Sequence, residues 1–260
     1  MRIVTALYLI YLAAPIVMLA VGSFGESWTN TLFPTGLTTR WYEEVYNDPS
    51  FRRAFLTSLK VVLAVCVVDA LIGVPLAYAL HAARQRGIGL AVRLVSLMPI
   101  VVPELVLAFG FILVFSSDTL PWLGSIWLLI AGHVVLTLPY LLNTLVADMA
   151  HMNLDAHERA AMSLGASFPQ RFFDIVLPSL RHSLLSGLIV VAALSVGEFQ
   201  LSNLVAGFLD RTYPILLLQA FYGATGFACA ATVVLLLLAA FASAASGASA
   251  RLGRPASKTA

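Results

Sequence analysis

Four ionisable residues, Asp69, Glu104, His133 and Glu198, sit inside long apolar stretches of this 260-residue chain. An ionised side chain in a bilayer core costs several kcal/mol unless it meets a cavity or a partner, so each is a candidate for a polar path. If the three acids face one cavity and stay charged, that path suits a cation. Each residue also has a purely structural use. His133 and Asp69 can bridge neighbouring helices by hydrogen bonds, and Glu104, which follows Pro103, can satisfy amides freed at a helix break. Glu198, in Ser195-Val-Gly197-Glu198-Phe199, is the leading path candidate of the four. Other chemistries lack their residues. No His-Glu-x-x-His metal pair and no Gly-x4-Gly-Lys-Ser/Thr phosphate loop occurs, so neither an intramembrane hydrolase nor nucleotide binding of that kind has its constellation. Cys66 and Cys229 lie in apolar runs and read as small core hydrophobes.

The elements that must hold these residues are membrane spans. The chain is 60% apolar and 11% charged, against about 45–50% and about 25% in soluble domains, which excludes a water-soluble globule. A formal charge of +2 without a dense basic stripe gives no footprint for nucleic acid. Crossing a bilayer takes roughly 20 apolar helical residues. Six such runs are predicted, at Ile3–Phe24, Phe55–Ala82, Leu90–Phe115, Leu123–Asp148, Ser183–Ala206 and Phe227–Ala250. The expected fold is all-α and polytopic, one membrane domain over residues 1–260 with six spans. The first run exceeds the length of a cleavable signal's apolar core, and five more follow it. With both termini in the cytoplasm, ten Lys and Arg fall on that side against Arg40, Arg52, Arg53, Lys60 and Arg211 on the other, which sets the orientation. Trp28, Trp41, Tyr42 and Tyr46 lie in the outer segment 25–54 and read as interfacial anchors. Pro15, Pro75, Pro99, Pro103 and Pro139 are predicted to kink their spans.

The cytoplasmic segment 150–182 spends about 30 residues without crossing anything. Asp155 and Glu158 have capping-box spacing, and Gly165 suits the left-handed position after a helix, so a short helix is predicted over Ala156–Leu164. Ser167, Pro169 and Gln170 open a second, running from Phe168 to about Val176, and Pro178 is expected to separate it from the fifth span. Ala160, Ala161, Leu164, Phe168, Phe172 and Ile175 give the pair an apolar face. That face must be buried, either against the protein's own helix ends or in a groove on another protein.

The stretch Glu158-Arg-Ala-Ala-Met-Ser-Leu-Gly165, nine residues, and Ile175-Val-Leu-Pro178 resembles the signature loop of bacterial ABC-importer permeases, which reads Glu-Ala-Ala, three residues, Gly, nine residues, Ile-x-Leu-Pro. Ala160, Ala161, Gly165 and Pro178 match in place. Arg159 stands where the family has its Glu, with Glu158 one residue earlier, which implies that the expected salt bridge is reversed or moved by one residue. Trp41-Tyr42-Glu43, Gly73-Val-Pro75-Leu-Ala77-Tyr78, Pro99 with Pro103-Glu104, and Ser195-Val-Gly197-Glu198-Phe199 extend the resemblance to the spermidine/putrescine subgroup. The resemblance implies a transport subunit, not an enzyme, in the bacterial inner membrane. Its loop would be the coupling helix that enters a cleft of the ATP-hydrolysing subunit, with Glu158, Arg159, Ala160, Ala161, Leu164, Gly165, Phe168, Ile175 and Pro178 at the contact. The implied partners are two ATP-binding subunits, a second permease copy or paralogue, an extracytoplasmic solute-binding protein and the lipid bilayer. ATP and Mg would be held by the ATPase subunits, leaving this chain without a bound cofactor. The implied solute is small and charged, polyamine-like in the first instance. Related permeases carry aminophosphonates, opines or ferric iron, and the Gly-Glu-Phe pattern also resembles permeases for oxyanions. A lone channel or secondary transporter would leave the capped loop helices unexplained.

Overall fold

The computed structural model describes residues 2–28, 31, 33–85, 101–152 and 154–252, with side chains for all of these except 84, 85 and 241–252. In chain order they form α1 (Arg2–Ser23), β1 (Gly25–Ser27), β2 (Thr35–Leu37), α2 (Arg40–Asn47), α3 (Pro49–Gln85), α4 (Glu104–Phe115), α5 (Ile126–His151), α6 (Leu154–Ser163) and α7 (Phe168–Arg171). Wider, π-type turns over Phe172–Val176 then lead into α8 (Leu177–Ser179), α9 (Arg181–Gly197), α10 (Gln200–Val205), α11 (Tyr213–Phe221) and α12 (Thr225–Leu252). Backbone contacts divide the chain into two compact units, residues 1–53 with 215–260, and residues 54–214.

In the first unit α1 packs along α12, and the antiparallel β1–β2 ribbon pairs Gly25 with Leu37 and Ser27 with Thr35. The apolar side chains of α1 stay exposed over most of its length, as Ile3, Leu7 and Tyr11 show. A helix that hides so little apolar surface in its own chain is suited to a lipid environment. Two of the expected interfacial aromatics are tied into this unit. The Trp41 indole donates to the Gly25 carbonyl at 2.7 Å, and the Tyr42 and Ser23 hydroxyls lie 2.7 Å apart. A Cβ on Gly226 would fall 2.3 Å from Trp41 Nε1, so only glycine fits there.

The second unit holds the polar candidates. α5 is its centre, with Leu128, Leu129, Leu141, Leu145 and Met149 fully buried, and α9 packs along it while α10 packs on α4. Gly73 and Gly187 allow α3 and α9 to approach Leu141 of α5, where an added Cβ would come within 2.9 and 2.5 Å of that side chain.

Among the described residues, α1, α3 and α5 are long and apolar enough to cross a membrane, and the Phe168–Ser179 and Arg181–Gly197 pair, bent by 63°, makes a fourth if taken as one span. α4 and Thr225–Ala240 of α12 are shorter apolar helices. Residues 86–100, which include Pro99 and the first half of the third expected run, lie outside the described set. The fifth run departs from expectation. Its helix stops at Gly197, Glu198 is extended (φ −68°, ψ 125°), and a new helix starts at Gln200. Two further corrections concern the loop 150–182. Asp155 sits inside the first turn of α6 rather than capping it, and its carboxylate and that of Glu158 are taken by distant partners. Pro178 lies within α8, where a first-turn proline costs no backbone hydrogen bond. The bend falls two residues later, at Leu180 (φ −83°, ψ −1°).

Candidate functional site

The break between α9 and α10 frees backbone amides inside an apolar bundle, and in such a place every freed amide needs an acceptor. Glu198 supplies it. One carboxylate oxygen accepts the Leu201 amide at 2.6 Å and the other accepts the Ser202 amide at 2.9 Å, with the Ser202 hydroxyl also donating to the latter. His133, from α5, lies alongside. Its Nε2 is 2.9 Å from Ser202 Oγ and 3.4 Å from Glu198 Oε2, and its Nδ1 is 2.8 Å from Ser195 Oγ. Because the Ser202 hydroxyl already donates to Glu198, Nε2 must be the donor toward Ser202, which fixes where that imidazole carries its proton. Glu198 and His133 are both buried.

Asp69 of α3 is fully buried and bonded to Thr137 of α5. Thr137 Oγ1 lies 2.7 Å from Asp69 Oδ2 and 2.8 Å from the His133 carbonyl, so this one hydroxyl has both acceptors in reach. Asp69 Oδ1 makes no hydrogen bond among the described residues.

Glu104 differs from the other acids. It opens α4 directly after the extended Pro103 (φ −57°, ψ 136°), its side chain is exposed, and it forms no hydrogen bond or ion pair with another described residue. Glu104, His133 and Glu198 line one cleft of about 270 Å³ together with Val102, Leu136, Thr137, Tyr140, Ser195 and Gly197. Asp69 is not among its lining residues. The cleft is therefore lined by one carboxylate without a hydrogen-bond partner among the described residues, one carboxylate that accepts from two amides and a hydroxyl, the hydroxyls of Thr137 and Ser195, an imidazole, and the partly exposed Tyr140.

The second candidate surface is the loop 150–182. α6 ends in a Schellman arrangement, with Ala166 N–H donating to the Ala161 carbonyl and Gly165 N–H to the Met162 carbonyl, both at 3.0 Å, and Gly165 at φ +85°. At the start of α7 the Ser167 amide donates to Gln170 Oε1 at 2.8 Å, the glutamine half of a capping box. The expected apolar face divides in two. Phe172 and Ile175 pack on the core, whereas Leu164 (88% exposed) and Phe168 face outward, joined by Met162 and Phe173. Arg159 and Ala160 are exposed, Ala161 is partly covered, and Pro178 is exposed.

Glu158 is buried and makes the loop's ion pair itself, with Arg171 Nη1 at 3.3 Å, while Tyr78 donates to the same carboxylate oxygen at 2.7 Å. This pair lies within the chain. The pairing of Tyr78 and His81 with this loop had no local signal, since their partners lie 80 and 74 positions away. Ser202 and Tyr140 were equally silent, as ordinary residues of apolar helices.

Comparison with known proteins gives the family. Residues 70–251 match the family of binding-protein-dependent transport system inner membrane components, and the chain belongs to that family. It is 31% identical over 206 residues to the spermidine/putrescine transport system permease protein PotC of Escherichia coli (strain K12), covering 78% of this chain and 75% of that protein. It is 26% identical over 198 residues to the putative 2-aminoethylphosphonate transport system permease protein PhnV of Salmonella typhimurium (strain LT2), covering 75% and 72%. Its fold matches that of a bacterial ABC transporter involved in the import of the acidic polysaccharide alginate, with a TM-score of 0.64 over 92% of this chain and 91% of that one at 14% identity. The chain is thus an inner-membrane permease component of an ABC importer, a transport subunit and not an enzyme. The family implies ATPase and binding-protein partners.

Proposed function

We propose that this permease provides half of a translocation path for a small solute bearing an aliphatic ammonium group, polyamine-like in the first instance. The observation that supports this reading is the asymmetry of the cleft acids. Glu198 is engaged by two α10 amides and the Ser202 hydroxyl, whereas Glu104, which lines the same cleft as Tyr140, has no hydrogen bond or ion pair with a described residue and is the acid more available to a solute. The substrates in the relatives' names, spermidine, putrescine and 2-aminoethylphosphonate, differ in net charge but share a primary amine. In the full assembly the chain is one permease domain with six spans and both termini in the cytoplasm. It pairs with a second permease copy or paralogue, receives solute from an extracytoplasmic binding protein, and contacts two ATPase subunits that hold ATP and Mg. Leu164, Phe168, Met162 and Phe173, an apolar cluster on a loop held by Gly165, form the contact with the ATPase. Burying such an exposed apolar patch supplies the association energy.

The test is uptake by the reconstituted assembly of radiolabelled putrescine, 2-aminoethylphosphonate and sulfate, with and without Glu104→Gln. Uptake of an amine is expected, with its half-saturating concentration raised roughly tenfold in the variant, the order expected for losing one charged hydrogen bond. Uptake of sulfate alone, or amine uptake indifferent to Glu104, would overturn the reading.

A further inference from the structure

A separate network links α3 to the loop 150–182 and reaches the exposed patch through the Phe168 ring. Near the end of α3, Tyr78 sends its hydroxyl to Glu158 of α6 at 2.7 Å, and one turn on His81 Nε2 lies 3.0 Å from Asp155 Oδ1 on the same helix. Glu158 also holds Arg171 of α7. The Tyr78 ring packs edge-on against Phe172 (centroids 5.8 Å, 79°) and obliquely against Phe168 (6.0 Å, 55°), while Phe168 and Phe172 stack at 6.1 Å. Tyr78 is therefore a residue of α3 that touches both loop helices at once. Glu158, Tyr78, His81 and Arg171 are all at least partly buried, so water competes weakly for these bonds.

We infer that Tyr78 is the positioning residue that makes the end of α3 and the helices α6 and α7 move as one rigid body. It rests on the reading that the loop meets an ATPase. Motion imposed on the loop then enters α3 directly. Pro75, one turn before Tyr78, removes one backbone hydrogen bond from the helix and gives it a point at which to bend. On the other side of that point α3 carries Asp69, which reaches Thr137 of the cleft wall, so the bend lies between the loop and the cleft.

The experiment uses the full assembly in nanodiscs, with Cys66→Ala and Cys229→Ala, and spin labels at Ala79 on α3 and Ser163 on α6, both exposed positions. Pulsed electron–electron distances are measured without nucleotide and after trapping with ATP and vanadate. One distance population, the same in both states, is expected for the parent. Tyr78→Phe keeps the ring contacts and loses the hydroxyl, so a second population is expected on trapping, raised roughly tenfold relative to the first, with ATP hydrolysis retained. Glu158→Ala removes the same bond from the loop side and replaces Tyr78→Phe if that variant fails to assemble. A parent distance that changes with nucleotide, or variants that keep the parent's single population, would overturn the inference. Failure of any ATPase subunit to purify with the parent would instead overturn the underlying functional reading.

Discussion

Replacing Gly165 perturbs the left-handed backbone position that ends α6. Its φ of +85° lies in the left-handed region, and a Cβ built there meets nothing within 4 Å, so substitution brings backbone strain without a clash. The strain is about 1 kcal/mol for alanine and about 2 kcal/mol for valine, while asparagine, which tolerates this region, costs less than alanine. At 1.4 kcal/mol per tenfold, those costs reduce the population of correctly shaped loop about fivefold for Gly165→Ala and about thirtyfold for Gly165→Val. The two Schellman bonds from Ala166 and Gly165 are what the strained variants lose. The assay is the amount of ATPase subunit retained by membrane-inserted permease across a concentration series, and the expected order is Gly, Asn, Ala, Val. If packing rather than dihedral strain governs the turn, the order follows side-chain volume and alanine outperforms asparagine. That inversion, or a valine variant that binds the ATPase like the parent, would refute the reasoning.

Glu198→Gln exchanges a carboxylate that accepts from two amides and a hydroxyl for an amide that points donors at donors. It is expected to lower the unfolding free energy by about 1.5–3 kcal/mol, read as a fall in detergent-solubilised melting temperature, with solute selectivity unchanged; a normal melting temperature with altered selectivity would return Glu198 to the path. Leu164→Ser removes an 88% exposed side chain, so thermal stability should stay within about 0.5 kcal/mol while ATPase retention falls by more than about 1 kcal/mol. An unchanged ATPase affinity would remove Leu164 from the contact.

What the chain reveals by itself and what it hides follows from how far each interaction reaches. Gly165 was legible because a helix stop is local chemistry, needing one residue without a Cβ and two neighbours whose amides turn back. Apolar runs were legible for the same reason, as length and composition set the match to a bilayer. The Asp155 and Glu158 pair shows where this reasoning fails. Their spacing satisfies a capping box, yet His81 and Tyr78 compete for the same carboxylates from 74 and 80 residues away, and the tertiary partners win. Glu198 is ambiguous in the complementary sense. An acid inside an apolar run marks a polar requirement, but whether a solute or the backbone imposes that requirement depends on a helix break that the uninterrupted apolar run of Ser183–Ala206 does not announce. Once the break is known the two acids separate in physical terms: both line the cleft, but Glu198 is engaged by two amides and a hydroxyl while Glu104 has no such partner among the described residues, which is why the proposed solute contact is Glu104.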